Sequence, residues 1–189
     1  MATYLDELMR AMAMLGELPN SIFIGQNLRF GGTSQYHTIK HISEEKRIEL
    51  PVAEEMQMGM SIGLSLVGYL PITIYPRWDF LILALNQLIN HADKAKEMSS
   101  GQFNLKIIVR VCVGSVKPMM PGLQHCQNYT EAIKKMVTNI EVRELLNADE
   151  VYSTYEEAMN SDKSYIIVEH SDLYNKDFAF KDIKESKEK

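Results

Sequence analysis

Pro51-Val-Ala-Glu54-Glu55-Met-Gln-Met-Gly59-Met-Ser-Ile-Gly63 is the stretch whose reading decides the fold. A short extended run, Arg47 to Leu50, precedes it, and a helical pattern continues from it to about Val67. Pro51 suits the entry, because its φ is fixed near the helical value and it brings no N–H that needs a partner. Glu54 and Glu55 therefore fall in a first helical turn at the carboxyl end of a strand. Ligands gather at that edge in open α/β sheets. Acidic residues in a first turn also complement the helix dipole, so position alone leaves both readings open. Met56, Met58, Met60, Ile62, Leu64 and Leu66 make the helix apolar nearly all round. Such a helix is expected to be buried, in its own core or against a partner subunit. Gly59 and Gly63 lower helix propensity. Four residues apart, they share a face and admit another backbone, either within the domain or across a subunit contact.

Toward the amino terminus, residues 3 to 16 read as an amphipathic helix, with Thr3 and Asp6 in a capping-box arrangement. Pro19 and Asn20 end it, and Ser21-Ile-Phe-Ile-Gly25 follows as the first buried strand. Gln26 to Ser43 shows no period, and a long ordered loop with one helical turn is expected there. His37 and His41 in this loop match no metal-ligand spacing. Toward the carboxyl terminus, Pro71 to Tyr75 reads as a strand, and Asp79 is placed to cap a helix over about Phe80 to Lys96. Lys106-Ile-Ile-Val-Arg-Val-Cys-Val113 suits a central strand buried on both faces. After a loop with Gln124, His125 and Gln127, Thr130 caps a short helix over 131–137. Glu141 to Leu145 can be another strand, and Asn147 caps a helix over 149–159. Ser164 to Glu169 is the last strand. Strands alternating with helices predict an α/β fold, a mostly parallel central sheet with helices on both faces.

The chain has 189 residues, of which 46% are hydrophobic and 24% charged, the composition of a globular domain with a substantial core. Its net charge is -5 and no basic stripe interleaves with aromatics, which argues against nucleic acid as a partner. Cys112 and Cys126 have neither metal-type nor disulfide-framework spacing, which fits a reducing cytoplasm. No apolar run approaches the length of a membrane span, so no membrane partner is expected.

Several segments resemble, in order, the pyrimidine-binding domain of the thiamine diphosphate enzymes, nearest the amino-terminal half of the beta subunit of pyruvate and other 2-oxo acid dehydrogenases. Phe23-Ile-Gly25 resembles the family's first strand and its glycine. Glu49-Leu-Pro51-Val-Ala-Glu54 resembles its aspartate-threonine-proline-x-x-glutamate segment, with Gly59, Gly63, Gly68 and Pro71 in step. Phe80 falls at a helix-opening phenylalanine, and Met98-Ser-Ser-Gly101-Gln102 resembles a methionine-serine-glycine-glycine turn. Gln124-His125-Cys-Gln127 resembles a glutamine-histidine-serine-glutamine loop. Ile166-Ile-Val-Glu169 with Leu173-Tyr174 resembles the closing strand. The likeness spans about Thr3 to Tyr174 and rests on joint order, since no single motif is specific.

The resemblance implies the site. Glu54 would share a proton with a nitrogen of the cofactor's aminopyrimidine ring, favouring the imino tautomer, while the thiazolium ring serves as electron sink for a 2-oxo acid. Such a carboxyl needs a largely apolar pocket, where desolvation raises its pKa, and the methionines around Glu54 are expected to supply it. Glu55, offset by about 100° around the helix, would not reach the same nitrogen. Phe80 would stack on the ring, with core filling as its plain alternative. Gln26 and Val52 would also belong to the cofactor-binding set. His125 would act near the substrate, with an ordinary surface histidine as its alternative. Gln26 stands where the family has glutamate; an amide hydrogen-bonds but cannot shuttle a proton.

The chain has no Gly-Asp-Gly, the family's magnesium-diphosphate motif, and so no metal-binding residue is assigned within it. Thiamine diphosphate, with Mg2+ bound through a partner, implies an alpha-like subunit that carries the diphosphate-binding domain, in a heterotetramer. Residues 1–175 are read as the pyrimidine-binding domain and 176–189 as a charged tail, with the usual carboxyl-terminal transketolase domain absent. The expected function is the pyrimidine-binding subunit of a split, pyruvate dehydrogenase beta-like enzyme acting on a 2-oxo acid. The alternatives are a split transketolase-like or synthase activity, or a non-catalytic scaffold or regulatory paralogue.

Overall fold

The computed structural model describes residues 2–116 and 120–174; the charged tail expected over 176–189 lies outside them. α1 (Tyr4–Glu17) starts at Thr3 in a complete capping box, the Thr3 hydroxyl accepting from the Asp6 N–H and the Asp6 carboxylate from the Thr3 N–H. β1 (Ser21–Gly25) carries the apolar run into the sheet. The loop after it contains one helical turn, α2 (Tyr36–Ile39), as its lack of period predicts. β2 (Arg47–Glu49), α3 (Glu54–Leu66) and β3 (Leu70–Tyr75) follow.

β4 (Ile108–Val113) and β6 (Tyr165–His170) are buried at every residue. β5 (Glu141–Glu144) lies outside them at one edge. The six strands run in the order β2-β1-β3-β4-β6-β5, and every pairing is parallel. From β1 the chain steps outward to β2, then crosses back to β3 on the other side of β1. The β1/β3 boundary is therefore the point where connections diverge, and ligands bind at such points beyond the strands' carboxyl ends.

One face of the sheet packs Phe23, Ile72, Ile108 and Ile167 against α1 and α7 (Ala148–Asn160). The other packs Tyr75, Val109, Val111 and Val168 against Met58, Trp78, Leu88 and Ile133, the last from α6 (Thr130–Met136). Helices thus cover both faces, and β-branched strands buried on both sides read as near-continuous apolar runs.

Three local expectations are corrected. The segment expected as one helix from Phe80 to Lys96 is wound in four pieces: α4 (Trp78–Leu81), a 3-10 turn over Ile82–Ala84, a π-helical stretch over Asn86–Ala92, and α5 (Ala95–Met98). Next to the wide turns, the Asp93 carboxylate accepts the backbone N–H groups of Thr138, Asn139 and Ile140, so long-range bonds and not helical period set the path there. Asp79 is no cap. Arg77 holds that position, and both Asp79 carboxylate oxygens are buried with no hydrogen-bond partner among the described residues. Thr130 and Asn147 do not cap through their side chains either. Thr130 Oγ1 is bound to Asn128 and accepts from Trp78 Nε1, while Asn147 Nδ2 donates to Glu150.

Candidate functional site

Two pairs of the expected residues come together along the carboxyl edge of the sheet. The first pair joins the ends of β1 and β2. Glu54 opens α3 and is 4% exposed; the Gln26 side chain, just past β1, donates from Nε2 to Glu54 Oε1 at 3.3 Å. Among the described residues, no hydrogen bond reaches Glu54 Oε2. The Glu54 backbone carbonyl accepts from the Tyr75 hydroxyl at 3.2 Å, which ties the first turn of α3 to the end of β3. Burial, first of all, pushes the Tyr75 hydroxyl well above the usual phenol range, so it remains a donor.

The neighbouring backbone is pinned from the same segment. Glu49, the last residue of β2, accepts the N–H groups of Asn27, Leu28 and Arg29 at 2.7, 2.7 and 2.8 Å. Arg47 Nη1 donates to the Leu28 carbonyl, and Arg29 Nε donates to the Arg47 carbonyl. On its other side, Gly25 lets β1 lie close to β3: a Cβ there would lie 2.5 Å from the Ile74 carbonyl oxygen. Gln57, one turn after Glu54 on the same face, donates to Thr73 Oγ1 and to the Ile74 carbonyl, and so fastens α3 to β3.

The second pair joins the ends of β3 and β4. The rings of Phe80 and His125 meet edge to face, 5.5 Å between centroids and 85° between planes. His125 is half-buried, and among the described residues its buried Nδ1 has no hydrogen-bond partner. Phe80 is also half-buried. In the order β2-β1-β3-β4 the four strands behind these two pairs are contiguous, so both pairs belong to one edge.

The other two residues diverge. Val52 is 78% exposed on the bend before α3. Glu55 points away from Glu54: it is exposed and accepts from Gln87 Nε2 at 2.7 Å. Only one of the two glutamates is therefore presented at the edge, as the 100° offset requires.

The expected apolar shell differs from the observed one. The buried face of α3 consists of Glu54, Gln57, Met58 and Ser61, a mostly polar set. Met56 is 44% and Met60 37% exposed, and nothing approaches within 4 Å of a Cβ placed on Gly59 or Gly63. Pattern shows that a helix is apolar all round; it does not show which side meets the sheet. Here Gln57 satisfies a side-chain and a backbone group of β3 beneath the helix and Ser61 the helix's own Gln57 carbonyl, while Met56 and Met60 are left outside. Glu49 and Gln57 were missed in the sequence. Their signal was a charged or amide residue at a position where strand and helix alternation demands an inward side chain.

The described residues include no group of three His, Cys, Asp or Glu able to hold a metal ion. No helix among them is long and apolar enough to cross a membrane. The donor set does suit an aminopyrimidine. It offers one buried carboxyl with a fixed orientation and an oxygen to spare, and an aromatic ring farther along the same edge.

The family model described as the transketolase pyrimidine-binding domain matches residues 1–176. The beta subunit of the pyruvate dehydrogenase E1 component from Gracilaria tenuistipitata var. liui is 28% identical over 162 residues, covering 82% of this chain and 49% of that one. The corresponding subunit from Rickettsia felis is 27% identical over 140 residues, covering 74% of this chain and 42% of that one. This chain therefore spans about half the length of such relatives. A solved structure described as a split-gene transketolase, an inactive beta4 tetramer, superimposes with a TM-score of 0.69 at 16% identity, covering 89% of this chain and 51% of that one. That likeness is one of fold.

Proposed function

The chain belongs to the transketolase pyrimidine-binding domain family, and from that premise we propose that it is the pyrimidine-binding subunit of a split thiamine diphosphate-dependent enzyme acting on a 2-oxo acid. One observation carries the reading. Glu54 is a buried carboxyl at the carboxyl edge of the sheet, with Oε1 occupied by Gln26 and Oε2 unclaimed among the described residues.

When bound, thiamine diphosphate supplies an electron sink for decarboxylation or acyl transfer. This chain's contribution is to hold and orient. Glu54 Oε2 would hold a proton at a nitrogen of the aminopyrimidine, and Gln26 would keep the carboxyl from rotating. The Tyr75 hydroxyl, through the Glu54 carbonyl, keeps the first turn of α3 in place. Phe80 offers a ring against the aminopyrimidine, and His125 stands beside it for a carboxylate or carbonyl oxygen of the substrate. Exposed Val52 would touch the cofactor only from the rim.

A second chain would complete the site. The open glycine-methionine face of α3 supports a subunit contact for that helix, in preference to packing within the domain. An alpha-like subunit would bring the diphosphate-binding domain and Mg2+, in a heterotetramer. The spacing of Cys112 and Cys126, which matches no disulfide framework, supports a reducing compartment such as the cytoplasm. A split transketolase or synthase would use the same carboxyl, so donor screening includes ketoses as well as 2-oxo acids.

The test is calorimetric titration of thiamine diphosphate with Mg2+ into this chain alone and into the chain joined to its partner. Binding to the pair alone is expected. Glu54→Gln should abolish turnover of the pair while leaving assembly intact. Full activity in that variant would refute the mechanism, and no binding in either preparation would favour a scaffold.

A further inference from the structure

We infer that Gly114 is a positioning residue for His125, acting through the absence of a side chain; this rests on the reading above, in which His125 meets the substrate. Gly114 directly follows β4 and is buried. A Cβ at this position would lie 1.8 Å from the His125 carbonyl oxygen and 3.0 Å from its carbonyl carbon. Carbon atoms in favourable contact stand about 3.5–4.0 Å apart, so a methyl group and this loop position exclude each other. The obstacle is backbone, which cannot rotate aside as a side-chain tip can.

The backbone conformation of Gly114 is not the reason for glycine. Its φ is outside the left-handed region, where Gly25, Gly32, Gly68, Gly101 and Gly122 have positive values. What position 114 needs is space. The loop occupying that space is a single 3-10 turn, Leu123–His125, closed by the His125 N–H on the Gly122 carbonyl. Cys126 Sγ, next in the chain, reaches the Ser115 carbonyl at 3.5 Å, so the strand end and the loop continue side by side past the contact.

The consequence falls on the ring. With its carbonyl seated on Gly114, His125 sets its imidazole against the edge of Phe80. Its Nδ1 is buried, with no partner among the described residues, which leaves Nε2 as the nitrogen able to meet a carboxylate or carbonyl oxygen. Adding one methyl group at 114 displaces the loop and turns that nitrogen away, without altering any polar group of the site.

The experiment follows the histidine ring signals of the isotope-labelled chain by NMR. In Gly114→Ala the His125 ring resonances should move toward the values they take in Phe80→Ala, because the ring leaves the Phe80 edge. Unchanged His125 resonances in a folded Gly114→Ala chain would overturn the inference. If that variant does not fold, cross-relaxation in the wild-type chain decides: contacts from the Gly114 α-protons to the His125–Cys126 backbone support it, and their absence overturns it. In the complex with its partner, Gly114→Ala should lower kcat about a hundredfold with KM little changed, the effect of a misplaced reacting geometry. Displaced ring signals together with full activity of His125→Ala would leave the positioning intact and remove His125 from the mechanism, so the two failures are distinguishable.

Discussion

A single amide–carboxylate contact sets the character of the site. Gln26 can give Glu54 a hydrogen bond but can neither take up nor release a proton. Glu54 therefore stands as a lone, oriented carboxyl and not as half of a proton-sharing dyad. Replacing the donor by Gln26→Leu leaves a buried carboxyl oxygen unpaired, and stability should fall by about 1–2 kcal/mol in urea unfolding. Gln26→Glu puts two carboxyls face to face and should cost more at neutral pH. The sign of its pH dependence follows. Like charges favour keeping one proton, so the deficit of Gln26→Glu against wild type should shrink as pH falls and one proton is shared. An equal deficit at pH 8 and pH 5 would show that the side chains do not meet.

At the scale of elements, α3 serves two surfaces. Its inner side is a row of polar anchors, with Gln57 bonded to β3 and Ser61 to the helix backbone, while Met56, Met60 and the two glycines look outward. Filling the open side therefore costs the isolated chain nothing. Gly59→Ala should stabilise it by about 0.5–1 kcal/mol, the usual gain on replacing glycine inside a helix. Gly59→Leu should fold equally well yet fail to assemble with the partner subunit, as read by sedimentation velocity of the mixture. Normal assembly of Gly59→Leu would place the subunit contact elsewhere.

Across the whole molecule, a buried charge network joins parts far apart in the chain. Arg110, in the middle of β4, donates from Nε and Nη2 to the Glu169 carboxylate at 2.5 and 2.9 Å, and from Nη1 to Thr38 Oγ1 at 2.7 Å. Both charged side chains are fully buried. Tyr155 of α7 and Tyr174 also donate to Glu169, and burial holds both hydroxyls well above the usual phenol range, so they stay protonated. Glu169 thereby has several donors around it, which is the condition for tolerating a buried charge. Arg110→Met should destabilise the chain by about 3–5 kcal/mol, because an uncompensated carboxylate remains inside. Denaturant unfolding checks this, and a loss under about 1 kcal/mol would mean that the tyrosines alone satisfy Glu169.

Much of this was legible in the residues. The β-branched runs of β4 and β6, the capping box at Thr3 and the apolar run of β1 determined strand and helix order, and with it a parallel α/β sheet, because period and caps are local signals. The placement of Glu54 in a first helical turn after β2 followed from the same local pattern. Tertiary structure alone decided which side of α3 faces the sheet, how the segment from Trp78 to Met98 is wound, and which partners Gln26, Glu49 and Arg110 take. These choices depend on contacts between residues distant in sequence: Arg110 meets Glu169 across 59 positions and Gln26 meets Glu54 across 28. A hydrophobic pattern reports how a residue relates to its own element. The element it faces is selected by packing and by the need to pair every buried polar group, and neither is written in any local stretch.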